Sequence, residues 1–202
     1  MGFFFDALRS LLAESVEAKV SARAAMAGRM LHTEGFRLGP AAQDGGRLFE
    51  VWHFPKGGKH PQCAVTLTLS PVEPEGTELL MCSLADAAPE PSPVWAAVLE
   101  HVRGQSTGPA MGDVLALPEG MMGRSSYRHL LVAPPQSLRQ TELSDYEAVL
   151  EARLVELITL TDREATWIGA HGGEAYLTHM ADQGVAPFAD RRAGDTRLGE
   201  VR

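Results

Sequence analysis

The sequence predicts an α+β fold, in which helices cover a central, mostly antiparallel sheet and a long helix stands at the N-terminus. From Cys63 to Ser70, apolar and polar residues alternate with the period of a half-buried strand. Residues 79–84 form a nearly unbroken apolar run, which is typical of a central strand. Two prolines, two glutamates and a glycine lie between them in residues 71–76 and break the pattern. We therefore expect an antiparallel hairpin in the middle of the sheet.

A helix over residues 4–31 is predicted by one apolar stripe. Its polar face carries mixed charge, which favours packing on the sheet over a membrane-surface helix. The aromatic run from Phe3 to Phe5 leaves a second role open, as an exposed anchor or a homodimer contact. The stripe consists of Phe5, Leu8, Leu12, Val16, Val20, Ala24, Ala27 and Leu31.

Further strands and one helix are predicted between the N-terminal helix and residue 135. A short strand is expected around Phe36 and a longer one over Arg47 to Phe54. Ser92 followed by Pro93 predicts the start of a helix that ends before Gly104. Strands are expected within residues 111–117 and 126–133, the second of which is stopped by two prolines.

The segment from Ser144 to Gln183 carries two capping-box signals. Ser144 with Glu147 favours a helix or irregular turn, and residues 154–161 favour a strand because they are rich in β-branched residues. Thr161 with Glu164 then opens a helix over 162–169. A second short helix over 174–183 follows the interruption at Gly172 and Gly173.

Length and charge limit the classes of function. The chain has 202 residues, enough for one domain that buries roughly 70% of its unfolded surface. We divide it into an N-terminal helix, residues 1–33, packed on a domain of residues 34–202. The net charge of −8 argues against nucleic acid and anionic membranes as partners, since both are bound through clustered Lys and Arg. A charged partner is expected to be a basic protein.

Cysteine usage and the opening residues indicate the cytoplasm. Cys63 and Cys82 are predicted to lie out of register on the hairpin, so we expect two free thiols in a reducing compartment. Asp6, Arg9 and Glu14 interrupt the apolar block that a signal peptide needs. No apolar run approaches the roughly 20 residues of a membrane span.

The common catalytic and cofactor motifs are not found in the sequence. His171, Glu174 and His179 are residue types that bind metals, but their spacing and the intervening glycines argue against a metal site. We therefore expect no metal, no cofactor and no enzyme activity. The alternative is a small hydrolase or metal-dependent enzyme whose site is assembled from Asp113, His129, His171 and Glu174.

An excess of acids marks residues 142–164, where only Arg153 and Arg163 are basic. Such a run is typical of a solvated face, and it can also steer a basic partner because complementary potentials raise the encounter rate. The acids are Glu142, Asp145, Glu147, Glu151, Glu156, Asp162 and Glu164.

Seven segments follow one another along the chain: VTLTLSP, ELLMCSL, VWAAVLEHV, GPAMGDVLAL, SSYRHLLVAPP, VELITLTDREATWIGAHGGEAYLTHM and FADRRAGD. Their order, over about Arg47 to Leu198, resembles that of the Suppressor of fused domain family. Four features are similar to the family. They are a tryptophan that begins a helix (Trp95), a Gly-Asp pair before the next strand (Gly112 and Asp113), a histidine before an apolar strand (His129), and the closing run from Asp190 to Asp195.

The resemblance implies a small α+β domain of bacterial type that binds another protein and catalyses nothing. Bacterial members are associated with polymorphic toxin loci, where the domain is similar to an immunity protein that occludes a toxin. Animal members read Ser-Tyr-Gly-Leu-Ser where this chain has residues 66–70 without the aromatic, so their transcription-factor ligand is not expected here. The candidate partner-binding residues are Thr66, Thr68, Ser70, Glu147, Glu151, Glu156, Asp190, Arg191, Arg192 and Asp195.

Overall fold

The structure is a computed structural model of the chain. It describes residues 18, 20–31, 33–37, 42–44, 47–57, 64–69, 76–83, 110–119, 126–137, 144–148, 152–187 and 197–198.

A mixed sheet of eight strands organises the described residues and confirms the predicted α+β class. The strands are β1 (Phe36–Arg37), β2 (Ala42–Asp44), β3 (Arg47–Phe54), β4 (Ala64–Leu69), β5 (Gly76–Ser83), β6 (Val114–Ala116), β7 (Tyr127–Ala133) and β8 (Ala152–Thr161). Their order is β1-β3-β4-β5-β8-β7-β6, and β2 also pairs with β3. The pairing of β5 with β8 is parallel and the other pairings are antiparallel.

Four helical segments accompany the sheet. They are α1 (residues 20–31), the short turn α2 (residues 144–148), α3 (Asp162–His171) and α4 (Gly173–Asp182). The last two confirm the predicted helix pair. The segment from residue 144 to 161 also folds as expected, since the helical turn α2 precedes the strand β8.

The predicted central hairpin is present as β4 and β5. Both are internal strands, because β3 flanks β4 and β8 flanks β5. The cross-strand neighbour of Cys82 is Val65, in agreement with the prediction that Cys63 is out of register. Cys82 is buried and forms no disulfide, whereas Cys63 lies outside the described residues.

Helix α1 packs on the sheet through the stripe that the sequence predicts. Val20, Ala24, Ala27 and Leu31 are each at most 3% exposed, because a residue every three or four positions faces the same side of a helix. They form one core cluster with Phe54, Val65, Leu80, Cys82, Tyr146, Ala152 and Leu154. The predicted continuation toward Phe4, including Phe3 to Phe5, and the predicted helix after Pro93 lie outside the described residues.

The connection from α1 to β1 passes directly over the Phe54 ring. A Cβ atom on Gly35 would stand 2.3 Å from Cε1 of Phe54, far inside any real contact distance. Phe54 is 1% exposed, so its ring is confined. Glycine is therefore required at position 35 for this turn to close on the core.

A second core cluster forms where α3 and α4 cover the end of β8 and its neighbour β7. Ile158 and Leu160 of β8 belong to this cluster, whereas Leu154 belongs to the α1 cluster. Alternate residues of a strand share one face, so α1 and the α3–α4 pair cover the same side of the sheet. The other members are Leu131, Ala133, Ile168, Tyr176, Met180 and Leu198.

Two buried carboxylates are balanced by arginines. Oε1 of Glu78 lies 3.0 Å from Nη1 of Arg23, which ties α1 to β5, and Glu78 is fully buried. Oε1 of Glu50 lies 2.9 Å from Nη1 of Arg37 across β1 and β3. Burial of an unpaired charge is costly, so each arginine stabilises the fold by neutralising its partner.

Among the residues that the structure describes, no helix has the length and apolar character needed to cross a membrane.

Candidate functional site

The helix pair α3–α4 is held in place by buried polar contacts at its start. The capping box forms as predicted, because Oγ1 of Thr161 accepts from the Glu164 amide and Oε2 of Glu164 accepts from the Thr161 amide at 2.7 Å. The other oxygen, Oε1, accepts from the Tyr176 hydroxyl at 2.7 Å. One buried carboxylate thus fixes the first turn of α3 and the middle of α4.

A glycine corner joins the two helices. Gly172 has φ of 90°, which favours glycine, and its amide donates to the carbonyl of Ile168 to close α3. A Cβ atom on Gly173 would lie 3.2 Å from Leu131 and 3.4 Å from Cα of Gly112. The corner therefore sits tightly against the sheet edge formed by β6 and β7.

An open groove of about 540 Å³ runs along the outer side of this helix pair. Trp167 stands at its centre, with its ring centroid 4.1 Å from that of His171 and 5.4 Å from that of His179, and both pairs are nearly parallel. Nδ1 of His171 lies 2.9 Å from the Trp167 carbonyl, which fixes the imidazole against the indole. The groove is lined by Trp167, His171, Glu174, Ala175, Thr178, His179 and Asp182.

The charged groups of the groove are acidic. Glu174 and Asp182 are exposed on α4 with Thr178 between them, each four residues from the next, so the three share one side of the helix. No lysine or arginine stands among the described lining residues. The groove therefore places carboxylates beside an aromatic stack.

A short C-terminal contact closes one end of the groove. The side chain of Gln183 accepts from the Arg197 amide and donates to the Arg197 carbonyl, both at 2.7 Å, and Nε2 of His179 lies 2.8 Å from that carbonyl. Nη2 of Arg163 donates to the Leu198 carbonyl at 2.8 Å. Leu198 is 8% exposed, so this contact seats an apolar side chain in the second core cluster.

Comparison with known proteins identifies the fold. No protein-family model and no curated protein matches the chain. The crystal structure of a protein from Neisseria gonorrhoeae FA 1090, described as a homologue of SUFU (suppressor of fused protein), superposes with a TM-score of 0.64. The match covers 92% of this chain and all of the other, at 18% sequence identity. The chain has a SUFU-like fold.

On this SUFU-like fold, His129 of the alternative enzyme site lies far from His171. Nε2 of His129 lies 3.0 Å from Oδ1 of Asp162, at the first residue of α3, whereas His171 is its last residue. A helix rises 1.5 Å per residue, so roughly 13 Å along α3 separates these positions. Asp113 accepts from the Ala110 amide in the turn before β6. Of the four predicted residues, His171 and Glu174 line one groove and the others do not.

Metal binding finds no support among the described residues, which contain no group of three or more His, Cys, Asp or Glu placed to hold an ion. His171, Glu174 and His179 do line the same groove, although their spacing alone did not indicate this. Both histidines stack on Trp167, which was not among the predicted site residues. Its spacing of four residues from His171 on one helix is the signal that was available.

Nine of the ten predicted partner-binding residues fall into three groups, and the tenth is Glu156. Thr66 and Thr68 lie on the internal strand β4. Thr66 is paired with His53 of β3 and Met81 of β5, and Thr68 is paired with Val51 of β3. Glu147 is half-buried, and its Oε1 accepts from the Leu154 amide at 2.9 Å. Ser70, Glu151, Asp190, Arg191, Arg192 and Asp195 lie outside the described residues.

Placing Glu156 and Glu164 on an exposed acidic face is wrong. Glu156 is fully buried and Glu164 is 4% exposed. Glu156 accepts from the Gln136 amide at 2.5 Å, and from the amide and hydroxyl of Ser137 at 3.1 and 2.6 Å. Burial raises the pKa of the Glu156 carboxyl, against the lowering effect of these hydrogen bonds. This side chain anchors the segment after β7.

Proposed function

We propose that this chain is a non-catalytic protein-binding domain of Suppressor of fused type, and that it acts as an immunity protein that neutralises a basic bacterial toxin. The observation that carries the proposal is the SUFU-like fold, shared with a bacterial protein over nearly the whole chain. Its action as a binder would consist of covering the toxin's working surface, with no chemical step of its own. The proposed place of action is the cytoplasm.

Charge supports a basic partner. The chain carries a net charge of −8, and exposed carboxylates at Asp145, Glu174 and Asp182 belong to elements around β8 and the helix pair. A toxin that acts on nucleic acid needs a positive surface to bind phosphates. An acidic binder is complementary to such a surface, and complementary potentials raise the association rate at low salt.

The distance between His129 and His171 favours binding over catalysis. A general acid and base must stand within hydrogen-bond reach of one substrate, and the length of α3 separates the His129–Asp162 pair from His171. A homo-oligomeric role through the N-terminal helix stays a prediction. Mass measurement by sedimentation, with and without residues 1–17, tests it, because this truncation leaves the buried stripe of α1 in place.

A co-expression experiment tests the proposed function. The protein encoded by the adjacent gene is expressed alone and together with this chain, and growth and complex formation are measured. We expect growth to be restored and the two proteins to be recovered as one complex. Absence of both rescue and complex contradicts the proposal.

The salt dependence of association provides an independent check. A complex steered by opposite charges should form more slowly as NaCl is raised, because ions screen the attraction. An association rate that does not change between low and high salt would show that the partner is not recognised through its basic charge.

A further inference from the structure

We propose that the groove between α3 and α4 is the docking site for an arginine side chain of the basic partner, so the inference rests on the proposed function and names the surface that performs it. The guanidinium would stack on the exposed His171 ring of the Trp167–His171 pair, the carboxylate of Glu174 would accept its hydrogen bonds, and Asp182, farther along α4, would add to the negative charge of the groove.

The aromatic part of the groove fits a flat cation. Trp167 and His171 stack with an interplanar angle of 17° and a centroid distance of 4.1 Å, and His171 is exposed at the surface. A guanidinium is planar, weakly hydrated and attracted to the faces of aromatic rings. The exposed His171 ring, which is held on Trp167, therefore offers the guanidinium a preformed flat surface.

The two rim carboxylates remain available for a ligand. The buried acids Glu78 and Glu50 are paired with Arg23 and Arg37, whereas among the described residues no lysine or arginine lies within 4.0 Å of Glu174 or Asp182.

Arg163 donates one hydrogen bond to the Leu198 carbonyl and does not line the groove. Within the part of the chain that the structure describes, the groove thus presents carboxylate acceptors with no lysine or arginine beside them.

The site is rigid before a partner arrives. The Thr161–Glu164 capping box, the Tyr176 hydroxyl on Glu164 and the Gln183 contact to Arg197 fix both helices and one end of the groove. A preformed site loses less conformational entropy on binding, so a single inserted side chain can dominate the affinity.

Arginine is favoured over lysine by the combination of groups. Only a guanidinium can stack on a ring while its N–H groups point sideways to carboxylates. An ammonium ion is a strongly hydrated point charge and gains less from the aromatic face. We therefore expect discrimination between the two cations, and no binding of a neutral analogue of the same shape.

The first experiment uses short blocked peptides and the full chain. Gly-Arg-Gly, Gly-Lys-Gly and Gly-citrulline-Gly are titrated while the indole resonance of Trp167 and the amide resonance of Thr178 are followed by NMR. We expect saturable shifts with the arginine peptide, weaker ones with lysine and none with citrulline. Equal shifts from citrulline, or shifts at Asp145 and Glu119 as large as those in the groove, overturn the proposal.

Matched variants separate a groove contact from overall charge. The exposed positions allow Glu174→Gln with Asp182→Asn to be compared with Asp145→Asn with Glu119→Gln, which change the net charge equally. The groove pair should weaken the arginine peptide at least fivefold, and the control pair should leave it within twofold. Equal weakening by the two pairs contradicts the proposal.

The second experiment uses the toxin complex. Glu174→Lys with Asp182→Lys should weaken toxin binding at least tenfold relative to Asp145→Lys with Glu119→Lys, because both pairs reverse the same number of charges. Trp167→Phe should retain more affinity than Trp167→Ala, with folding of each variant checked by thermal unfolding. If the unchanged chain rescues growth and the groove variants bind equally well, this inference fails while the proposed function stands. If the unchanged chain binds no toxin, the proposed function fails and the peptide titration still decides whether the groove holds arginine.

Discussion

The Tyr176 hydroxyl donates to Oε1 of Glu164 at 2.7 Å inside the interface between α3 and α4. Glu164 is 4% exposed and Tyr176 is fully buried, so this contact lies away from water. It links the capping of one helix to the packing of the next.

Tyr176→Phe should lower the free energy of unfolding by about 1–2 kcal/mol, because a buried carboxylate oxygen loses a donor. Thr178→Ala is a matched control on the same helix, since its hydroxyl donates to the Glu174 carbonyl at an exposed position. The control should stay within about 0.5 kcal/mol of the unchanged chain. Urea unfolding measures both, and equal effects would show that the buried contact contributes nothing special.

Gly35→Ala should destabilise the chain by about 1–3 kcal/mol, because the added methyl meets the confined Phe54 ring. Gly169→Ala is the control, since its added Cβ meets nothing within 4 Å and it lies on α3. Alanine favours a helix over glycine, so the control should be neutral or stabilising by up to about 1 kcal/mol. Thermal unfolding distinguishes the two, and a neutral Gly35→Ala would contradict the packing at this turn.

Removing Arg23 should be among the costlier single substitutions. Arg23→Met removes the guanidinium that lies 3.0 Å from the fully buried Glu78 carboxylate, and loss of one partner of a buried pair costs about 3–5 kcal/mol. The double variant Arg23→Met with Glu78→Gln should recover part of that loss, because the stranded charge is gone. A double-mutant cycle in urea measures the coupling, and strictly additive effects would mean that the pair is not coupled.

Glu156→Gln should become more favourable relative to the unchanged chain as the pH rises. The raised pKa of Glu156 means that the folded protein holds this proton more tightly than the unfolded chain. Its stabilising contribution is complete below the ordinary value of about 4.5 and is lost as the pH rises through the folded pKa.

The stability difference between variant and unchanged chain should thus grow over that window and then level off. Glu119→Gln, at an exposed position, should show no such trend. Denaturant titrations between pH 4 and 8 measure the difference, and a constant difference contradicts the expected linkage.

Much of the fold was predictable because its signals are local. The stripe of Val20, Ala24, Ala27 and Leu31, the bounds of β3, and the Thr161–Glu164 capping box all depend on residues close in sequence. The parallel pairing of β5 with β8 was not predicted, since it joins segments far apart in the chain and has no local pattern.

The candidate site was less predictable for the same reason. Glu156 was assigned to a solvated face because it is charged. Alternate residues of a strand face the same side, and Leu154, Ile158 and Leu160 on the same side of β8 are buried, as is Glu156. The stack of His179 on Trp167 joins two helices, so no spacing within either helix reveals it.

The single parallel seam between β5 and β8 has a consequence for folding kinetics. Strands β1 to β5 pair with near neighbours in sequence, and so do β6 and β7, so two sub-sheets can nucleate independently. Gly76 pairs with Ala152 only after the chain between them closes a long loop, so we expect the pairing of β5 with β8 to be the slow step of folding. An intermediate with the seam open would bare two apolar strand edges, so refolding yield should fall as protein concentration rises.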